Sequence, residues 1–311
     1  VAATKGTPYQ AGIVALAKQS QETGGIASQP IRNQQALLTQ VDTLIAQRGR
    51  SPELDKRREQ IAKVLNASQA DLKENGLRAG LERGVITDMA PLDVSSPEAM
   101  AGSFAKRLQQ ADHVSAWAGK AVSPLDSSEA DQVRGIMEAL PPKQRSAAVA
   151  TIAQAVGPRY AGAIAEQLNS KDKALSLAFA SAGDKTTAGR FTSELILKGA
   201  QAIKDGTAMK DDKKVTGWKA TIAQQIDGAL PDDRAATAVK ESAYFIAAGI
   251  AAENGGSVST DDIARSVRLA VGGSIIERNG KKLPIPAQMS ADDFESRIKA
   301  VSPADIIKQA P

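Results

Sequence analysis

The chain has 311 residues, of which 42% are hydrophobic and only 3% aromatic, and its formal net charge is +4. It contains no cysteine and a single histidine, His113. These counts exclude disulfides, zinc–thiolate sites and thiol nucleophiles, and they leave one imidazole for any catalytic triad. Much of the hydrophobic content is alanine, which favours helix but buries little apolar area, so we expect a helical core of small side chains.

Membrane-spanning and leader segments are not predicted. The longest strongly apolar run, residues 243–252, is too short for a helical span, which needs about 20 residues. The N-terminus lacks the basic start, apolar stretch and cleavage site of a secretory signal. Because the sequence begins at Val1 and not at Met, we expect a processed product or part of a longer polypeptide.

Residues 1–84 are predicted to form helical hairpins. A short helix is expected over residues 9–21, and from Ile31 apolar residues recur at helical spacing. A Ser-Pro pair then marks the start of a second helix, which is predicted over residues 52–66.

A further helix is predicted to begin at Ser68, which has the character of an N-cap, although Gly76 and Gly80 weaken it. Residues 85–96 have no helical period and contain Pro91. We therefore predict an extended linker or strap there, and a main subdivision of the chain.

Residues 97–272 are predicted to form an alanine-rich helical domain, a multi-helix bundle or irregular helical stack. Ser-Pro, Leu-Pro, Gly-Pro and Gly-rich joints separate its helices, as helix ends require. The predicted helices cover residues 97–118, 127–140, 143–156, 158–169, 172–182, 187–205, 215–229, 232–253 and 260–271.

A Leu-Pro joint occurs twice, at residues 139–145 and 229–234. In both copies an amphipathic segment ends, a charged turn follows and an alanine-rich helix begins. With only two copies the sequence leaves open whether this is a duplication or a reused helix-turn-helix.

Residues 273–311 are predicted to form a β-hairpin and a C-terminal helix. Asn279-Gly280 between short apolar runs indicates a type I′ turn, which gives a hairpin near residues 274–285. Pro284 cannot donate to a central ladder, so the hairpin is expected to be an edge or isolated ribbon. The final helix, with Phe294 and Ile298 inward, is predicted to support it.

Glu241-Ser242 is the strongest catalytic candidate, because lytic transglycosylases carry their acid in a Glu-Ser motif. The other segments that those enzymes need are missing, and Glu241 is predicted to lie mid-helix beside an apolar face with Phe245. We therefore interpret it as a solvated helix residue. His113 is interpreted as a packed or partly exposed helix residue, so no enzyme activity, cofactor, metal site or small-molecule substrate is predicted.

Paired aspartates occur near predicted helix starts. There they are expected to cap backbone amides, and the alternating oxygen ligands of a calcium loop are absent. The pairs are Asp211-Asp212, Asp232-Asp233, Asp261-Asp262 and Asp292-Asp293. The glycine pairs at 255–256 and 272–273 are likewise predicted to be helix C-caps.

The densest basic group is the one candidate for contact with phosphate or DNA. It lacks interleaved aromatic residues for base stacking, so a solvated helical face is the competing interpretation. We call these residues the basic group: Arg48, Arg50, Lys56, Arg57, Arg58 and Lys63.

From residue 91 to about 307 the sequence resembles the helical regions of internal virion proteins, also called ejection proteins, of tailed bacteriophages and prophages. The likeness rests on order and spacing. It is carried by residues 91–97, 113–119, 122–125, Leu140-Pro141, Gly157-Pro158, 279–284, Met289-Ser290 and Phe294.

The resemblance implies a structural protein packaged in the capsid near the portal and ejected into the host envelope, where it helps to form a conduit for the genome. It implies self-association, other internal virion or portal proteins as partners, nonspecific DNA contact, and envelope or periplasmic contact after ejection. Family members often include a transglycosylase domain, whose signature this chain lacks. The alternatives are a helical scaffold or adaptor for another protein, and a non-catalytic segment of a peptidoglycan-degrading virion enzyme.

Overall fold

A computed structural model describes residues 23–184, 186–208, 212–278 and 280–300. It is mostly helical (73%), with a two-stranded antiparallel sheet near the C-terminus, so the predicted fold class is confirmed. The helix predicted over residues 9–21 lies outside the described residues.

The helices and strands follow one another with short connections, after a helical segment at residues 23–27. They are α1 (Ile31–Arg48), α2 (Pro52–Glu82), α3 (Pro97–Ala118), α4 (Ser127–Ala139), α5 (Pro142–Leu168), α6 (Lys173–Ala182), α7 (Thr187–Lys204), α8 (Asp212–Ile226), α9 (Asp233–Glu253), α10 (Thr260–Val271), β1 (Gly273–Arg278), β2 (Lys281–Pro286) and α11 (Ala291–Ala300).

The helix start predicted at Ser68 is wrong, because α2 continues through it and Ser68 is buried. The interruption comes later, at Asn75, whose φ of −142° and ψ of 57° are not helical. By contrast, the two helices predicted on either side of residue 157 are confirmed: α5 breaks at Gly157, whose φ of 79° and ψ of 168° are not helical, and it resumes at Pro158.

Gly76 and Gly80, predicted to weaken α2, are buried contact positions. A Cβ atom on Gly76 would overlap the side chain of Val122, and one on Gly80 would overlap Val114. These glycines therefore let α3 and the segment after it approach α2 closely.

The chain forms two compact units. The first is drawn from Val1–Ala139 and Thr151–Lys171, and the second from Leu140–Ala150 and Asp172–Pro311. Alanine is the most frequent buried apolar residue among the described residues, as expected from the composition. The four-part division inferred from sequence stays a prediction.

Residues 85–96 have neither helix nor strand, and they lie within the first unit. Ile86 and Ala90 are buried. The Ala90 amide donates to Gln110 Oε1 (2.9 Å), and Gln110 Nε2 donates to the Asp88 carbonyl (2.9 Å). The buried Gln110 thus binds this segment to α3.

A buried ion pair joins α3 to α4. Arg107, with 1% of its side chain exposed, donates to both carboxylate oxygens of Glu129 at 2.8 and 3.2 Å. Glu129 also accepts from the Asp126 amide and donates its own amide to the Asp126 carboxylate, which forms a reciprocal cap at the start of α4. Burial raises the pKa of Glu129, while the Asp126 amide and the Arg107 charge act in the opposite direction.

In the second unit, α7 and α9 cross at two glycines. A Cβ atom on Gly199 would overlap the Phe245 carbonyl oxygen, and one on Gly249 would overlap the Leu195 carbonyl oxygen. The two backbones therefore touch without intervening side chains. Beside this crossing an apolar cluster is formed by Ile222, Ile226, Ala243, Ile263 and Val267, with Ile275 of β1 packed against it.

The two Leu-Pro joints are built differently. Residues 140–141 separate α4 from α5, whereas residues 227–232 separate α8 from α9. In the first joint Arg145 Nη2 donates to the Leu140 carbonyl (3.2 Å), and in the second Asp232 caps α9 by accepting from the Arg234 amide.

The glycine crossing predicts a large difference between two Gly→Ala substitutions. Gly199→Ala forces α7 and α9 apart, so we expect it to destabilise the second unit by about 1–3 kcal/mol. Gly217→Ala, at an exposed position of α8 with open space around it, should stabilise by about 0.5–1 kcal/mol. Hydrogen exchange of α7 and α9 peptides measures both effects, and equal protection in the two variants would contradict this packing.

The Arg107–Glu129 pair predicts strong non-additivity. Arg107→Met or Glu129→Gln alone leaves a buried group without its partner, and we expect either to cost about 3–5 kcal/mol. The double variant removes both charges and retains an acceptor for the Asp126 amide, so its cost should be well below the sum of the single costs. Urea unfolding of the four proteins gives the coupling energy, and additive costs would show that the pair is not coupled.

Candidate functional site

The basic group lies at the joint between α1 and α2. Arg48 is in the last turn of α1, Arg50 is in the connection, and the other four residues are in the first turns of α2. The structure therefore places five of these residues next to one helix–helix joint and Lys63 farther along α2. Whether they contact phosphate stays a prediction.

Arg58 and Arg50 of the basic group form ion pairs within the hairpin. Arg58 Nε donates to Asp42 Oδ1 of α1 (2.6 Å), and Arg50 lies 3.3 Å from Asp55. The half-exposed Arg58–Asp42 pair joins α1 to α2, whereas Arg50 is 78% exposed and its partner lies in the first turn of α2. Exposed pairs of this kind contribute little to stability.

Lys56 and Lys63 are exposed and seven residues apart, so they share one side of α2. Glu59, also exposed, lies between them at helical spacing. This side can reach a phosphate backbone with two ammonium groups, but the intervening carboxylate reduces its field.

A cleft of about 380 Å³ opens in the second unit between α6, α8 and α9. Its floor is apolar and aromatic, formed by Ile222, Tyr244 and Phe245, and its rim carries lysines from all three helices together with Glu241. The cleft therefore combines aromatic and charged groups from three helices.

Each lysine of the cleft has a partner on its walls or next to them. Lys173 Nζ lies 2.7 Å from Glu241 Oε2, Lys240 pairs with Asp227, and Lys219 Nζ sits 4.5 Å from the centre of the Tyr244 ring. Burial raises the pKa of Tyr244.

Glu241 and Ser242, the catalytic candidates from the sequence, differ in exposure. The Glu241 side chain is 38% exposed and ion-paired, while Ser242 is buried in α9. The sequence singled out Glu241 but missed the cleft, because its lysines come from three separate segments.

His113 is exposed on α3. Its neighbour Asp112 accepts hydrogen bonds from Arg159 Nη1 (3.1 Å) and from the Tyr160 hydroxyl, and so helps to attach α5 to α3. The predicted capping role of the aspartate pairs is confirmed at Asp232 and at Asp262, which forms a capping box with Ser259. Asp211 lies outside the described residues.

Residues from the segments 113–119 and 122–125 contribute to a buried polar joint of the first unit. Ser115 Oγ accepts from the Val122 amide (3.0 Å), and Ser123 Oγ donates to Gln167 Oε1 (2.6 Å). Trp117 Nε1 donates to the Ser28 carbonyl (3.2 Å).

Gln167 connects that joint to the break in α2. Its Nε2 donates to the carbonyls of Glu74 (3.1 Å) and Leu125 (3.3 Å), while Asn75 Oδ1 accepts from the Ser127 amide (2.7 Å). The break at Asn75 thus leaves the Glu74 carbonyl free to accept from Gln167 of α5, while the Asn75 side chain satisfies a backbone amide at the start of α4.

Among the residues that the structure describes, no three His, Asp or Glu side chains gather where they could hold a metal ion. None of the described helices has the length and apolar character of a membrane span.

No protein-family model, curated protein or solved structure matches this chain.

The positions of Lys56 and Lys63 make the predicted DNA contact testable. If both ammonium groups contact phosphates, Lys56→Ala/Lys63→Ala should reduce the slope of log affinity against log salt by about two. Lys73→Ala, an exposed lysine farther along α2, serves as the matched control and should leave the slope unchanged. Fluorescence anisotropy with duplex DNA between 50 and 200 mM salt measures this slope. The absence of binding, or binding that does not depend on salt, would contradict the predicted contact.

Proposed function

We propose that this chain is a structural protein of a tailed phage particle, packaged inside the capsid near the portal and ejected into the host envelope to help form a conduit for the genome. The observation that carries the proposal is the order of residues 91–97, 113–119 and 122–125, which resembles phage internal virion proteins. Several of these residues build the buried polar joint around Ser115, Ser123 and Gln167.

The physical character of the core supports the same role. Helices that pack through alanine and glycine bury little apolar area for each residue, so their stability rests on many small contacts. A chain without cysteine can unfold and re-form without redox chemistry. Both properties suit passage through a narrow portal channel.

The proposed activity is assembly and not catalysis. The proposed partners are further copies of this chain, other internal virion or portal proteins, DNA through the basic group, and the host envelope or periplasm after ejection. A helical scaffold or adaptor that binds another protein is the leading alternative, and it would show a saturable partner without association with particles. The second alternative is that the chain is a non-catalytic segment of a peptidoglycan-degrading virion enzyme.

Fractionation of purified particles tests the proposal. We expect the chain to resist added protease in intact particles, and to appear in the envelope fraction of host cells after infection while the capsid stays outside. Quantitative mass spectrometry of both fractions measures this, with the major capsid protein as the internal control. A chain absent from particles, or digested on intact ones, would contradict the assignment.

The same purified chain tests the absence of catalysis. We expect no release of soluble fragments from peptidoglycan, and no difference between the wild-type chain and Glu241→Gln. Cleavage that is lost in Glu241→Gln would overturn the non-enzymatic part of the proposal.

A further inference from the structure

The two edges of the β1–β2 hairpin differ in hydrogen-bonding capacity. Arg278 pairs with Lys281 across a two-residue turn, and beyond the other end the Ala287 amide donates to the Gly272 carbonyl (3.2 Å). Along an antiparallel pair, residues whose backbone N–H and C=O groups bond to the partner strand (inward positions) alternate with residues whose groups point away from it (outward positions). Because Gly272 bonds to Ala287, the even-numbered residues of β1 are the inward ones. Gly273, Ile275 and Glu277 therefore point their backbone groups away from β2.

On β2 the outward positions are occupied by Lys282, Pro284 and Pro286, the partners of those three residues in the register. Proline has no N–H, so two of the three outward donors on this edge are missing. The β2 edge is thereby blocked against the addition of another strand.

The β1 edge keeps all of its donors. No backbone group in the described part of the chain bonds to the outward groups of Ile275 or Glu277. A groove of about 500 Å³ is lined by four consecutive residues of β1, 274–277, together with Lys282 of β2, Gln225 of α8 and Arg268 of α10. Neighbouring strand residues point to opposite faces, so a groove that contacts four in a row on β1 reaches the edge of that strand as well as the face that carries Lys282.

We propose that the β1 edge pairs antiparallel with β1 of a second copy of this chain, which forms a four-stranded sheet across a two-fold axis. This inference does not depend on the virion assignment. The assembly stops at two copies, because the outer edges of the new sheet are the two β2 edges, which proline blocks against further strands.

The side chains favour one register. When Ile275 faces Glu277 of the second copy, Ile276 faces its own equivalent, and the carboxylate enters the groove that holds Arg268. Within the described residues Arg268 has no carboxylate partner, so the contact joins complementary charges. The register that opposes Glu277 to its own equivalent places like charges together and is disfavoured.

Proline substitution at an outward position tests the edge without disturbing the hairpin. Glu277→Pro removes an outward N–H, as Pro284 does on β2, and leaves the ladder within the chain intact. We expect the wild-type chain to dimerise in sedimentation velocity, with the dissociation constant raised at least tenfold in Glu277→Pro. Glu277→Ala, which keeps the N–H, should still dimerise. Circular dichroism confirms that each variant folds.

A second pair of variants tests the register and uses the absence of cysteine from the chain. Ile276→Cys places two thiols opposite each other at a closely spaced, non-hydrogen-bonded pair, so mild oxidation should cross-link the dimer. Ser274→Cys faces Arg278 of the second copy and should not cross-link. A wild-type chain that stays monomeric, a dimer unaffected by Glu277→Pro, or equal cross-linking of both cysteine variants would overturn the proposal.

Discussion

Close approach of helix backbones is the constraint on which the rest of this structure depends. A chain that is 3% aromatic cannot fill wide gaps between helices with large side chains. Its helices must instead come near enough for small residues to exclude water and make contact. Gly199 and Gly249 in the second unit, and Gly76 and Gly80 in the first, mark positions where even a methyl group does not fit.

Close packing of small side chains leaves the choice of neighbours poorly specified, because one alanine face resembles another. In the first unit, buried polar groups supply that specificity. Arg107 finds both of its acceptors on Glu129, and Gln167 reaches Ser123, Leu125 and Glu74 from a single position on α5. A shifted helix would leave these buried groups without partners, at a greater cost than the loss of a few methyl contacts.

Local signals made much of the fold predictable from sequence. Ser96, Thr186 and Ser259 each cap the helix that was predicted to follow, and Asn279-Gly280 located the hairpin, because a cap or a tight turn depends on a few adjacent residues. Ser68 has the same chemistry as those caps, yet it lies inside α2, where contacts distant in sequence decide. The lysine–aromatic cleft was missed for the same reason. Each of its lysines is unremarkable within its own segment, and only the packing of α6, α8 and α9 brings them together.

In the hairpin, the pairing register decides what the prolines of β2 do, which the sequence pattern alone does not show. From sequence, Pro284 indicated only that the strand could not be central. Counted from the turn, Pro284 and Pro286 both fall at positions whose backbone groups point outward, so neither removes a hydrogen bond from the ladder. Two prolines at inward positions of the same strand would have broken the hairpin. Their placement keeps the ribbon intact while closing one of its edges, and it leaves the β1 edge as the side on which the sheet can grow.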